Sequence, residues 1–378
     1  MTTSSSPGPG TRGDVGHDYE FLVLATDNAG NREKPNFLTS GDDDFHPDLG
    51  ATPSVASATT DNYGIAPDPL PVAATNQLFQ QARAGQQAPA VPPAVASEFD
   101  VVYEPFTAQV FASGFAQSVA GQIGPMAIVE DPRPGHEGEV LISGGAGRNE
   151  IWRFGFQGGT TQHVGEAEHW VLDYPIFNLA FDLDGNLWAT TGGGPLLHLN
   201  PDTGQVLGAY GLLGEHTEDH QSGGITMGLA VNPNSGEIYV GSGGGVEIFH
   251  PEAIGDPSGV LFERYSADEN LRVGSLAFYQ FEDEDGLRSV PELWATTWPD
   301  RSLVVRFNGF KRAETVYRFD TQIDSITFGQ SGTALQNLLF VSHNNGPEAK
   351  NAEERAWNGT SQLTMIDVVT RQQTALAK

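Results

Sequence analysis

From residue 124 onward, apolar and polar positions recur with a period near 50. Five phrases align: GPMAIVE (124–130), FNLAFDL (177–183), MGLAVNP (227–233), GSLAFYQ (274–280) and DSITFGQ (324–330). Their third residues, Met126, Leu179, Leu229, Leu276 and Ile326, stand 53, 50, 47 and 50 residues apart. A second apolar run follows each phrase: EVLISGG, NLWATTGG, EIYVGSGG, ELWATTWP and NLLFVSHN. A third comes after that, from EIWRFGF to LTMIDVV, and most repeats close with a fourth, as in GQVLGAY and ETVYRFD. The runs are short and bounded by turn residues, so they read as strands. No repeat holds a helical period, which argues against a parallel α/β sheet.

Four strands with apolar residues on both faces need neighbours on both sides. A four-stranded unit repeating near 50 residues predicts an all-β chain folded as a β-propeller, each blade packed between two others around a channel. Asp184-Gly185, Ser235-Gly236 and Asp285-Gly286 supply the turns between first and second strands. One further step of 50 after Ile326 lands on Leu376, close to the end of the chain. A lone strand, TAQVFAS (107–113), precedes the first repeat. The expectation is a ring of the six-bladed type with five complete blades, its gap leaving apolar side chains of blades five and one uncovered. The alternative is a closed five-bladed ring in which residues 107–113 pair with blade five.

Two other segments precede the repeats. In YEFLVLATDNAGNRE (19–33), Tyr19, Phe21, Val23 and Ala25 alternate with Glu20, Leu22, Leu24 and Thr26, and a turn follows at Asp27–Asn31. Residues 36–98 are rich in Ala, Pro, Thr, Asp and Gln. They read as a linker with little regular structure, one short helix at Asn76–Arg83 and few contacts with the propeller. The resulting division is 1–35, 36–98 and 99–378.

The phrases FNLAFDLDGNLWATT and LLHLNPDTGQV resemble the six-bladed NHL-type and virginiamycin B lyase-like propellers, and also the gluconolactonase-like ones. The resemblance runs over about residues 107–378 and is carried by packing and turn residues. ATDNAGN (25–31) resembles the last hairpin of bacterial immunoglobulin-like or fibronectin type III-like modules, which implies that 1–35 is the tail of such a module. Gluconolactonase-like enzymes hold a divalent metal in the channel with an early Glu, two Asn and an Asp. By that resemblance Asn178 and Asp324 are the matching positions, for Ca²⁺ or Mg²⁺, while GQIGPM offers no Glu. Virginiamycin-type lyases use a His and Glu pair with Mg²⁺, and His216, Glu218 and His220 supply such groups in a loop.

Charge and composition narrow the partners. Lys plus Arg number 19 against 48 Asp plus Glu, a net charge of −29. Such a chain repels nucleic-acid phosphates and anionic membranes. There are no cysteines, which excludes disulfides and thiol chemistry. No stretch reaches the ~20 apolar residues of a membrane helix, so membrane insertion is not expected. MTTSSSPGPGTRGDV has no basic and apolar signal pattern. The acidity, the missing Cys and the module-like start nonetheless point to an extracellular or cell-surface address rather than a cytoplasmic one.

Loops on one face carry the candidate chemistry. HVGEAEHWVLDY (163–174) and HTEDHQSGG (216–224) are read as connections from one blade to the next, and they place His163, His169, His216 and His220 there. Second-to-third-strand loops add Trp298, Asp300, Arg301 and His343 to the same face. The histidines suit a transition metal, or are simply solvated. Trp298, Asp300 and Arg301 suit a sugar or a carboxylate, or form a tight turn with a half-buried aromatic. No Ser-His-Asp spacing, phosphate loop or paired carboxylate is present. Two readings follow: a non-catalytic module binding a protein or carbohydrate ligand, or a metal-dependent lyase or lactonase with its site in the channel.

Overall fold

A computed structural model describes residues 76–88, 101–119, 124–155, 161–211, 225–256, 259–266, 271–283, 285–298, 301–319, 321–345 and 362–377. The reading of 1–35 as an immunoglobulin-like remnant lies outside the described residues.

The elements open with helix α1 (Gln77–Arg83) and strand β1 (Ala112–Ser113). Blade one comprises β2 (Ala127–Glu130), β3 (Val140–Gly144), β4 (Glu150–Phe154) and β6 (Glu168–Val171), with β5 (Gln162–His163) before its last strand. Blade two comprises β7 (Asn178–Phe181), β8 (Leu187–Thr190), β9 (Leu196–Leu199) and β10 (Val206–Tyr210). Blade three runs through β11 (Ile225–Val231), β12 (Ile238–Ser242), β13 (Gly245–Phe249) and β14 (Phe262–Arg264). Blade four is β15 (Arg272–Tyr279), β16 (Glu292–Trp298), β17 (Leu303–Phe307) and β18 (Ala313–Arg318). Blade five is β19 (Gln322–Phe328), β20 (Leu338–Asn345), β21 (Gln362–Asp367) and β22 (Gln373–Ala377). The chain is thus an all-β propeller of five antiparallel four-stranded blades, as the repeat predicts.

The turn chemistry explains the meander. In blade two, Asp182 accepts from Asp184 N, Asn186 N, Asn186 Nδ2 and Trp188 Nε1 at 2.8–3.0 Å. This closes the turn, and Gly185 occupies its left-handed position at φ 82°. The pairing Leu179↔Ala189 sets the blade-two register. The counterpart in blade one is Ile128↔Ile142. The equivalent of Leu179 is therefore Ile128, two residues beyond the Met126 that the phrase alignment picks.

Each interface between successive blades is an apolar layer. Leu141 and Ile151 of blade one meet Leu179 and Leu187 of blade two, and Trp188 and Leu196 then meet Leu229 and Val240 of blade three. Tyr239 and Ile248 meet Leu276 and Ala295 of blade four, whose Trp294 and Val304 meet Ile326 and Leu339 of blade five.

Blades five and one meet the N-terminal segment instead. Phe79 and Ala82 of α1, with Phe106, pack on Leu338, Phe340, Met365 and Leu376 of blade five. Ala112 and Phe115 pack on Ile142, Trp152 and Phe154 of blade one. The helix is docked as well as capped. Asn76 Oδ1 accepts from Leu78 N at 2.8 Å, its Nδ2 donates to Ala334 O and Gln336 O, and its backbone N donates to Asp367 Oδ2 at 3.0 Å. Val102 bridges antiparallel to Ala377, while β1 pairs in parallel with β5 on the blade-one side. Phe106 and Phe111 are five residues apart, a span of at most ~17 Å, so one strap serves both blades.

Two expectations change accordingly. The segment 36–98 does not stay clear of the propeller, because α1, which forms where a helix is expected, is part of its core. The gap also does not leave a whole face of blade five bare: Leu339, Phe340, Val341, Thr364 and Met365 are all buried. Residues 107–113 do not pair with blade five either; its outer strand is met at Val102–Tyr103, where Tyr103 N donates to Leu376 O at 3.0 Å. Only the innermost level remains open. Ile128 is 46% exposed, whereas its counterparts Leu179, Leu229, Leu276 and Ile326 are each 4% exposed.

Candidate functional site

The meander puts second-to-third-strand turns and blade-to-blade connections at one end of the ring, here called the upper face. Trp298 ends β16 there and is 38% exposed. The Arg301 guanidinium lies 5.4 Å from its ring centroid. Arg301 Nη1 is 2.7 Å from Asp324 Oδ1 at the start of blade five's inner strand, and Nη2 donates to Gln322 Oε1. The structure thus gathers Trp298, Arg301 and Asp324, and adds Gln322. That residue carries no signal of its own in sequence, since a lone Gln in a strand has no spacing to betray it.

Asp324 has 40% of its side chain open to solvent. Protein surrounds it on its other sides, and this desolvation pushes its carboxyl up to about 6, with Arg301 pulling the other way. Its folded pKa therefore lies above the unfolded value of about 4. The linked stability is present below that value and lost as pH rises through about 6. Asp324→Asn should flatten this part of the stability–pH curve, read from denaturation midpoints between pH 4 and 8. An unchanged slope would contradict the assignment.

His343 is 5% exposed and works differently. Its Nδ1 lies 2.5 Å from Thr321 Oγ1, and the Phe319 ring meets it edge-on at 4.8 Å. Burial pushes its pKa down to about 4, so at neutral pH it is an uncharged clamp on the connection between blades four and five.

The remaining candidates disperse. His163 lies in the third-to-fourth-strand connection of blade one, at the lower end, where its Nδ1 accepts from Gly165 N at 3.0 Å. His169 sits within β6, stacked on Trp152 at 6.3 Å. Both were expected on the upper face. A long connection holding β5 and a 3₁₀ turn, Val164–Glu166, delays the fourth strand and moves them away. His216, His220 and Asp300 lie outside the described residues. Asn178 does not meet Asp324 in any hydrogen bond among the described residues. Its Oδ1 accepts from Leu179 N at 2.9 Å and its Nδ2 donates to Leu229 O at 3.5 Å.

That bond belongs to a series. Ser143 Oγ donates to Ile176 O, Thr190 Oγ1 to Met227 O at 3.0 Å, and Ser275 Oγ accepts from Ile326 N at 3.4 Å. These polar side chains tie blade one to blade two, two to three, and four to five through the neighbour's main chain.

The lower face holds a charged cluster that the sequence reading passed over. Asp131, with no exposed side-chain surface, accepts from Arg133 Nε at 2.9 Å and Nη2 at 2.7 Å, and from Arg153 at 3.1 Å. Arg133 also binds Asp202 of blade two at 2.7 Å. His136 lies 2.7 Å from Glu139, which Arg153 also contacts. Asp131, His136 and Glu139 have ligand atoms within 4.8 Å of one another. Two guanidiniums already hold these oxygens, so the cluster suits an ion-pair stitch between blades one and two rather than a cation. DPRPGHEGE (131–139) keeps four of its members close together in sequence, while Arg153 and Asp202 come from elsewhere.

No family model matches this chain, and no curated protein matches it. Solved structures do show similarity. The WD40 repeats of RRP9 are 12% identical, with 69% of this chain and 84% of that one covered and a TM-score of 0.40. A putative oxidoreductase (glucose dehydrogenase) from Thermus thermophilus is 15% identical, with 70% and 90% covered and a TM-score of 0.45. No helix among the described residues is long and apolar enough to cross a membrane.

Proposed function

We propose that this propeller is a non-catalytic binding module of a secreted or cell-surface protein, taking a protein or carbohydrate ligand on its upper face. The observation that carries this reading is the series of bonds between blades. Of the two positions that match a channel metal set, Asn178 is here used to join inner strands and Asp324 is paired with Arg301, while Thr190 and Ser275 also bond the next blade. The upper face meanwhile offers a partly exposed indole beside an Arg–carboxylate pair, a combination able to stack on a flat ligand and hydrogen-bond its rim. The acidic surface steers the module away from nucleic acids and anionic membranes.

Glycan and peptide arrays test the reading. Binding by the full chain that falls about tenfold, or ~1.4 kcal/mol, in Trp298→Ala supports it. Binding unaffected by that change would move the ligand elsewhere. Calorimetric titration with Ca²⁺, Mg²⁺ and Zn²⁺ addresses the enzyme alternative. We expect no binding tighter than about a micromolar, or ~8 kcal/mol. A tighter site would restore the metal-dependent lyase or lactonase.

A further inference from the structure

The repeat itself shows what fits the opening between blades five and one. At three of the four closed junctions, a small residue on one inner strand faces a large residue on the next: Ala180 with Leu229, Ala230 with Leu276, Ala277 with Ile326; at the first junction Val129 takes the small residue's place, against Leu179. Hydroxyl or amide groups beside them bond the next strand's main chain, at Ile176 O, Met227 O, Leu229 O and Ile326 N. Blade five carries the same set on its open side. Thr327 stands where Ala277 stands in blade four, and is exposed. Ser325 and Ser342 occupy the positions of Ser275 and Thr296 and, with no strand beyond them among the described residues, bond each other at 2.8 Å. Across the opening, Ile128 is the large residue awaiting a small partner. One wall therefore offers groups that elsewhere grip an extended main chain, and the other an uncovered aliphatic. The outer strands on both sides are already covered by the strap, so the inner strands are what face the opening.

The chain has a segment of the required pattern. Leu22-Val23-Leu24-Ala25-Thr26-Asp27-Asn28-Ala29-Gly30-Asn31 matches the first strand and turn of blade two, Phe177-Asn178-Leu179-Ala180-Phe181-Asp182-Leu183-Asp184-Gly185-Asn186, at Leu, Ala, Asp, Gly and Asn in register. We propose that residues 22–26 of this chain dock in the opening as the inner strand of a sixth position. Leu24 then faces Thr327, and Ala25 faces Ile128. This continues the small-against-large pairing around the ring, and Leu24 N comes to Ser325 Oγ as Ile326 N comes to Ser275 Oγ. The tether permits it. Fifty residues separate Thr26 from Asn76, which is anchored on blade five. A stretch of that length reaches up to ~165 Å when extended, so the connection does not keep the strand from the opening.

The absence of cysteine makes a single-thiol test possible. Ile128→Cys and, on the opposite wall, Thr327→Cys are each placed in the full chain and labelled with a maleimide, with Phe310→Cys as the exposed reference. Docking predicts labelling at least about tenfold slower than the reference at both walls. Leu24→Asp should bring both close to the reference rate while leaving the melting temperature above that of assay conditions. Rates indifferent to Leu24→Asp, whether fast or slow, overturn the proposal. Protection that grows with protein concentration overturns it too, since the strand would then come from a second copy.

Discussion

Phe79→Ala is expected to lower the free energy of unfolding by about 3–5 kcal/mol, the usual cost of emptying a fully buried aromatic site. Phe79 has no exposed surface, and its ring lies against Leu338, Phe340, Met365 and Leu376, about 260 to 300 residues further along the chain. Were residues 36–98 a free linker, the same change would cost almost nothing. Urea denaturation of the full chain separates the two outcomes, since the midpoint shifts while the slope holds. Leu78, on the same helix but only partly buried, serves as the comparison, with a smaller loss on truncation.

Asp131→Ala should be comparably damaging, by about 3–5 kcal/mol, because it strands two guanidiniums that its carboxylate now serves. Arg153 keeps only 9% of its side chain exposed and Arg133 19%, so water compensates poorly. Asp202→Ala, at a partner 57% exposed, should cost no more than about 1 kcal/mol. The pH dependence follows from the same cluster. Burial pushes the Asp131 and Glu139 carboxyls up, but the bonds from Arg133 to Asp131, and from His136 and Arg153 to Glu139, outweigh it and hold both below their ordinary values. Asp202 is lowered chiefly by its bond to Arg133. Groups with depressed folded pKa values stabilise the fold above their unfolded values, near pH 4, and lose that contribution as pH falls through the folded ones. Acid unfolding should therefore begin at a higher pH in Asp131→Ala, measured by fluorescence of the buried tryptophans. An unshifted acid transition would mean that the cluster is decorative.

The blades were legible because each repeats one physical problem: a strand, a turn needing a positive-φ residue, and a strand apolar on both faces. Leu179, Gly185 and Trp188 announce this in order, and their counterparts return about fifty residues later. The strap was not legible. Phe79 and Ala82 lie in a Pro- and Gln-rich context, Phe106 and Phe115 flank one short strand, and nothing periodic tells which surface they cover. Even so, α1 shows in the sequence through its capping Asn76 and the run up to Arg83. The site divides in the same way. Trp298, Arg301 and Asp324 come together because strand ends at a blade junction converge wherever the repeat is regular. His163 and His169 go astray because blade one has an irregular connection before its fourth strand, and insertions of that kind carry no register.

The strap also orders events during biosynthesis. Asn76 donates to Asp367, 291 positions later in the chain. At about 5–20 residues per second, the ribosome needs roughly 15–60 s to deliver that partner after the helix has emerged. Through this interval Phe79 and Phe106 have no blade to cover them, while blades one to four can close on one another. The first part of the domain to be made is thus among the last to find its place, and the nascent chain carries its clasp open, an apolar stretch available to chaperones, until blade five arrives.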